Sequence, residues 1–158
     1  MLLELIMTIV LIGIIATFTG FFIFSGIDGY LRAQYVINGS LDAQRALDRI
    51  SLELRDITDI IPAPSTTSLT YQSEALTGTR TLKYDANTDT IFIRVDPNDY
   101  VLLENVSSFN LDYDTYNLDA DPAAVQEVRY IEVVFNLEDI GTGFRTRVFP
   151  RNLVTKTW

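Results

Sequence analysis

The side chains able to do chemistry here are carboxylates, guanidiniums, amines and hydroxyls, because the chain has no histidine and no cysteine. Those two absences remove the commonest general base, the commonest zinc ligand, every Ser-His-Asp or Cys-His nucleophile scheme and any disulfide. Two groupings of carboxylates then stand out. Glu4 is the sole charged residue ahead of Asp28, at the head of a long apolar run. Asp112, Asp114, Asp119 and Asp121 form an acidic loop, and clustered oxygen ligands are what calcium takes. Their spacing is not that of an EF-hand, and a solvated acidic loop is the plainer reading. General acid-base catalysis needs carboxylates converging in a pocket. No such grouping is legible in the sequence, so neither an enzyme nor a bound cofactor, calcium apart, is expected. A net charge of -9, with only short basic clusters such as Arg145, Arg147 and Arg151, argues against a nucleic-acid partner, since phosphate neutralisation needs clustered lysine and arginine.

The elements that must position these residues divide the chain unevenly. Leu5 to Ile27 is an uncharged run of 23 residues, which as a helix is about 35 Å long and crosses a hydrocarbon core of about 30 Å. All 12 basic residues follow it, the first being Arg32, so a secretory signal with a basic head is not the pattern. A basic segment that orients the span would lie on a leader removed in processing. Glu4 sits at the edge of this span, and a charge at the bilayer centre costs roughly 2.5 to 3.5 kcal/mol on insertion scales. Two readings of it stay open. It pairs with the amino terminus of a neighbouring copy, or it rests in the headgroup layer and favours the positive end of the helix dipole.

The helical pattern continues past the span. Ala43, Leu47, Ile50, Leu54, Ile57 and Ile61 recur at spacings of four and three, while Asp42, Arg45, Asp48, Arg49, Glu53, Arg55 and Asp56 occupy the rest of the circumference. Gly39 interrupts the pattern and softens the helix. Pro62 and Pro64 end it, and a Ser/Thr linker follows. Beyond that the period becomes two. Strands are expected at Arg80 to Tyr84 and Thr90 to Val95, joined by a turn bearing Asp85 and Asp89, then at Tyr100 to Val106, Phe109 to Tyr113, Ile131 to Leu137 and Phe144 to Phe149. They imply one antiparallel sheet whose apolar face the stripe from Ala43 to Ile61 would cover.

The opening from Leu2 to Ala16, with Glu4 near its head and an unbroken apolar run after it, closely resembles the processed N-terminus shared by type IV pilins and the pseudopilins of type II secretion systems. In that family a prepilin peptidase cleaves after a glycine, the new first residue is N-methylated, and a glutamate follows at the fifth position. Glu4 matches one place early. Met1 then corresponds to the second position, and either the first mature residue precedes this numbering or the processing differs. The resemblance implies that Glu4 and Met1 belong to the filament-assembly site, Glu4 recognising the N-terminus of an adjacent subunit. It also implies that Leu5, Ile9, Ile12, Gly13, Ala16 and Gly20 pack helix against helix. The mid-helix proline common in the family is missing here, and Gly13 and Gly20 stand as places for local unwinding. The segments from Arg45 to Asp56, from Leu103 to Phe109 with Tyr113, and from Phe144 to Asn152 resemble minor pilins and the minor pseudopilin J. Some pseudopilins bind calcium, which is what the resemblance adds to the four aspartates.

Together these readings predict an α+β, type IV pilin-like fold. Residues 1–27 form a transmembrane and filament-core helix, 28–61 its amphipathic second half, and 62–158 an antiparallel β-sheet domain. What the resemblance implies for function is a subunit that polymerises into a type IV pilus or similar extracellular filament. The alternatives are a low-copy minor pseudopilin at the tip of a periplasmic pseudopilus, or a membrane-anchored binding domain that never polymerises. Its partners would be copies of itself and other pilins, the bacterial inner membrane before assembly, the prepilin peptidase and the assembly machinery.

Overall fold

In a computed structural model of the chain, residues 2–61, 64–116, 126–138, 140–141, 143–152 and 154–155 are described. The chain divides into two compact units, Met1–Asn38 and Gly39–Trp158, and helix α1 (Leu2–Arg55) contributes to both. In the first unit the described residues are all helical, and all are exposed except the half-buried Gly20. A helix apolar around its whole circumference is not built for water. Its threonines are suited to an apolar surround, because each hydroxyl donates back to a carbonyl of its own helix: Thr8 to Leu5, Thr17 to Gly13 and Thr19 to Ile15, each at 2.8 Å. Beyond the apolar run, Asp28 and Arg32 form an exposed ion pair one turn apart, at 3.2 Å.

The second unit is an α+β layout in which the last turns of α1 pack on antiparallel sheet, as expected and consistent with a pilin-like fold. The sheet is not single, however. Strands β1 (Ile57–Ile61), β2 (Ser68–Ser73), β3 (Arg80–Asp85), β4 (Thr90–Val95) and β5 (Asn98–Leu103) form a five-stranded meander in that order, and β6 (Val106–Tyr116), β7 (Glu127–Leu137) and β8 (Gly143–Val148) form a separate three-stranded one. The division falls at Glu104-Asn105. Asn105 takes a φ of 58°, a left-handed conformation that asparagine tolerates better than most, and this ends the first meander and starts the second. Backbone bonds knit the two across this point: Val106 N–H donates to Asp89 O at 2.9 Å and Glu138 N–H to Asn105 O at 3.0 Å. The shared core gathers Ala43, Ile50 and Leu54 of α1 with Ile57, Leu69, Tyr71 and Ile91 from the first sheet and Leu111, Ile131 and Phe135 from the second.

The helix ends earlier than the sequence pattern predicts. The chain leaves α1 at Arg55, and residues 57–61 form a strand instead of the last helical turns. Three of its five residues are β-branched isoleucines, which suit a pleated surface better than a helix interior. The carbonyls released at the helix end find donors at once: Arg151 N–H bonds to Arg55 O at 2.8 Å, and Ser73 Oγ and Glu74 N–H bond to Asp56 O at 3.1 and 3.2 Å. Ile57 and Ile60 are still fully buried, but from β1. Helix α1 runs through Gly39 unbroken, and the structure gives this glycine a packing role. A Cβ there would lie 2.7 Å from Ile140 Cδ1 and 3.8 Å from Leu137 Cδ1, so the glycine lets the segment after β7 approach the helix closely.

Candidate functional site

The sequence points first to the head of α1. Glu4 lies exposed in its first turn, where a negative charge complements the helix dipole; Met1 lies outside the described residues. Leu5, Ile9, Ile12, Gly13, Ala16 and Gly20, spaced by three and four along one helix, line one stripe. The large members are open, Leu5 and Ile9 each at 61% and Ile12 at 65%. Phe18, Phe21, Phe22 and Phe24 are more open still, between 73% and 81%. At Gly13 and Gly20 an added Cβ would meet nothing within 4 Å, and α1 is helical through both, with no unwinding. This is a helix long and apolar enough to cross a membrane, compatible with membrane anchoring.

The four aspartates divide. Asp112 and Asp114 are not in a loop, as the sequence reading placed them, but on β6, whose pairing with β7 extends to Tyr116. Strand alternation puts both on the face away from the core, where Asp114 lies 3.9 Å from Arg129 and Asp112 accepts the Tyr113 backbone N–H at 2.9 Å. Asp119 and Asp121 lie outside the described residues. No group of three or more acidic residues fit to hold a metal ion occurs among the described residues. Asp85 and Asp89 do serve the β3–β4 turn: Asp85 accepts the Asn87 backbone N–H at 2.9 Å, and Asp89 takes a φ of 50°.

Two charged clusters were not foreseen. Glu53, assigned from the sequence to the polar face of the helix, is 2% exposed. It accepts Arg49 Nη2, Arg80 Nη1 through both oxygens at 2.9 and 3.2 Å, and the Tyr71 hydroxyl at 3.1 Å. Burial, and then the Glu53 charge beside it, pushes the Tyr71 phenol well above its ordinary value. The sequence held a signal for this, because Glu53 follows Ala46 by seven and Ile50 by three and therefore lies on the buried stripe. Arg49 and Arg80 also line a cleft of about 180 Å³ with Ile93, Val95, Tyr100 and Leu102.

The second cluster lies on the outer face of β7 and β8. Glu132, 7% exposed, accepts Arg145 Nη2 at 2.8 Å and Arg147 Nε at 2.6 Å. The Arg147 bond, opposed by desolvation and aided by Arg145, holds the Glu132 carboxyl below the usual carboxylate range. The Arg147 guanidinium stands 5.2 Å over the Tyr130 ring, which lies 5.7 Å from that of Phe149. Arg145 and Arg147 were visible in the sequence as a short basic cluster, but their shared acid follows only from the register that sets Glu132 opposite Arg147.

The chain matches no family model, no curated protein and no solved structure.

Proposed function

We propose that this chain is a structural subunit, without catalytic activity, that polymerises into a type IV pilus or pilus-like extracellular filament after residence in the bacterial inner membrane. The observation that carries the reading is the first half of α1. Its large apolar side chains from Leu2 to Leu31 are between 52% and 81% exposed, so the segment needs either lipid or other helices around it. Polymerisation moves such helices from one apolar surround to the other. Its cost in hydrophobic energy is therefore small, and packing and polar pairing are left to set the geometry. Glu4 is the sole charged side chain of that segment ahead of Asp28. In the proposal it sets subunit register by pairing with the amino terminus of the next copy, and the prepilin peptidase and assembly machinery act on the chain beforehand.

The test is Glu4→Ala and Glu4→Gln in cells that assemble the protein. Both variants insert in the membrane at the normal level, while filament yield by shearing and electron microscopy falls at least about tenfold, the equivalent of about 1.4 kcal/mol per subunit contact. Normal filaments from Glu4→Ala would remove the register role. A chain that never polymerises in its native machinery would leave the membrane-anchored binding domain instead. The minor-pseudopilin reading keeps the family and is favoured by the likeness of the segments from Arg45 to Asp56 and from Phe144 to Asn152. Counting copies of this chain per filament separates it from a major subunit.

A further inference from the structure

Strands β6 and β8 are the two edges of the three-stranded sheet, and they carry opposite charge on the face away from the core. Asp112 stands across from Glu132, and Glu132 across from Arg147, so the charge sequence over the sheet runs acid, acid, base. On the β8 side two guanidiniums share the single Glu132 carboxylate and the rim is left net positive, with side chains still 61% and 50% exposed. On the β6 side, among the described residues, Asp112 has no ion pair and Asp114 has the long contact to Arg129 at 3.9 Å beside a weak attraction to Arg147 across β7. We propose that the basic rim of β8, Arg145 and Arg147, docks onto the acidic rim of β6, Asp112 and Asp114, of a second copy of this chain.

The inference rests on the filament reading and adds the surface by which the globular units meet. A chain of net charge -9 repels its own copies, and close packing requires local complementarity to offset this. The β8 rim is prepared for such a contact. Glu132 and the Tyr130 ring already fix the Arg147 guanidinium, so little side-chain freedom remains to be lost on docking. The Tyr130 ring under the Arg147 guanidinium supplies the arginine-with-aromatic pairing common among interface hot spots. Direction follows from topology. The two rims are different surfaces on opposite sides of one sheet, so each docking event leaves one rim of each kind free. Contacts of that heterologous type propagate into open helical polymers, whereas self-complementary patches stop at dimers.

Two measurements on the full chain in assembling cells test this. Glu132→Gln/Arg145→Gln/Arg147→Gln removes the basic rim without leaving an orphaned charge in the sheet; filament yield falls about tenfold while membrane level and detergent melting stay near normal. Undiminished yield overturns the proposal. The second uses the chain's lack of cysteine. Asn110→Cys with Phe149→Cys keeps all four rim charges and places thiols on β6 and just after β8. With β7 between them the two positions are about 10 Å apart across the sheet and further apart along it, since Asn110 pairs with Val134 and Phe149 follows the partner of Ile131, too far for an internal disulfide. Mild oxidation therefore gives a ladder of dimers, trimers and longer products, while each single-cysteine chain stays monomeric. Dimers from a single-cysteine chain mean like rim against like rim and overturn the proposal, as does a double-cysteine chain that stays monomeric inside Glu4-dependent filaments; in both cases the filament reading survives. Loss of filaments from the wild-type chain itself would instead sink that reading.

Discussion

Removing Glu53 tests how the helix is locked to the first sheet. Its carboxylate is 2% exposed and receives Arg80, Arg49 and the fully buried Tyr71. The Arg49 side chain is half exposed and that of Arg80 only 14%, so Arg49 can rehydrate when its partner goes and Arg80 cannot. Glu53→Leu therefore leaves a guanidinium charge and a phenol hydroxyl without an acceptor. Breaking a buried ion pair from one side costs about 3 to 5 kcal/mol. The orphaned hydroxyl alone costs about 1 to 3 kcal/mol, and because the two share one network the costs do not simply add. A loss near 4 kcal/mol is expected, a large share of the roughly 5 to 15 kcal/mol a domain has in total. The double variant Glu53→Leu/Arg80→Met should be more stable than Glu53→Leu alone, since it leaves no uncompensated charge. Denaturant titration of the full chain in detergent, followed by the near-ultraviolet signal of its tyrosines, measures both. A loss under about 1 kcal/mol for Glu53→Leu, or a double variant worse than the single, would refute the reasoning.

Gly39→Ala should be nearly neutral, because the Cβ that would lie 2.7 Å from Ile140 Cδ1 meets the movable end of a side chain, and helix propensity returns up to about 1 kcal/mol. Gly39→Leu should cost about 1 to 3 kcal/mol by overpacking and recover in an Ile140→Ala background; equal melting of Gly39→Leu and wild type would remove the close-approach role. Toward acid, Glu132 and Asp99, both held low by arginine bonds, contribute stability that is present above the ordinary carboxylate range near 4 and lost as pH falls below it. Toward alkali, Tyr71 and Tyr113, raised by burial, contribute stability that is complete below the ordinary phenol value of about 10 and lost as pH rises past it. Part of the tyrosinate absorbance should therefore appear only with unfolding. A titration in which every tyrosine ionises near pH 10 with the fold intact would count against the buried phenols.

The strands that could be read from the sequence were those with clean alternation and a turn signal between them: β3 and β4 about the Asp85–Asp89 turn, β7 through Ile131, Val133 and Phe135, and β8 through Phe144 to Val148. The missed ones were hidden by local grammar. In β1, three isoleucines continue the three-four spacing of α1, and periodicity does not distinguish a last helical turn from a strand that buries the same residues. In β2, Ser68 and Thr70 alternate with the fully buried Leu69 and Tyr71, but the preceding Ser65, Thr66 and Thr67 make the stretch look like linker. The split into two sheets turns on a single left-handed Asn105, and no periodicity records a backbone conformation. Site residues followed the same rule. Glu4 stands out as a candidate because its type conflicts with its surroundings, whereas the pairing of Glu132 with Arg145 and Arg147 needed the strand register.

Helix α1 solves two different solvation problems with one secondary structure. Where it packs on sheet, burial is confined to one stripe, and the buried carboxylate on that stripe meets donors from β2 and β3. In residues 2–27 every large apolar side chain is exposed whichever way it points, and no stripe exists for a sheet to cover. Polar groups there must be satisfied by the helix itself or by whatever surrounds it. Three threonines meet that condition internally through their own backbone carbonyls. Glu4 can do so only in part, because a carboxylate can accept free N–H groups of the first helical turn but gains no neutralising cation from the backbone. The rest of its demand has to be met from outside the segment, by water at a membrane surface or by a cation in a packed assembly. Of the two, only the second changes when copies of the chain come together, and that is why the effect of Glu4→Ala should be seen in polymerisation and not in insertion.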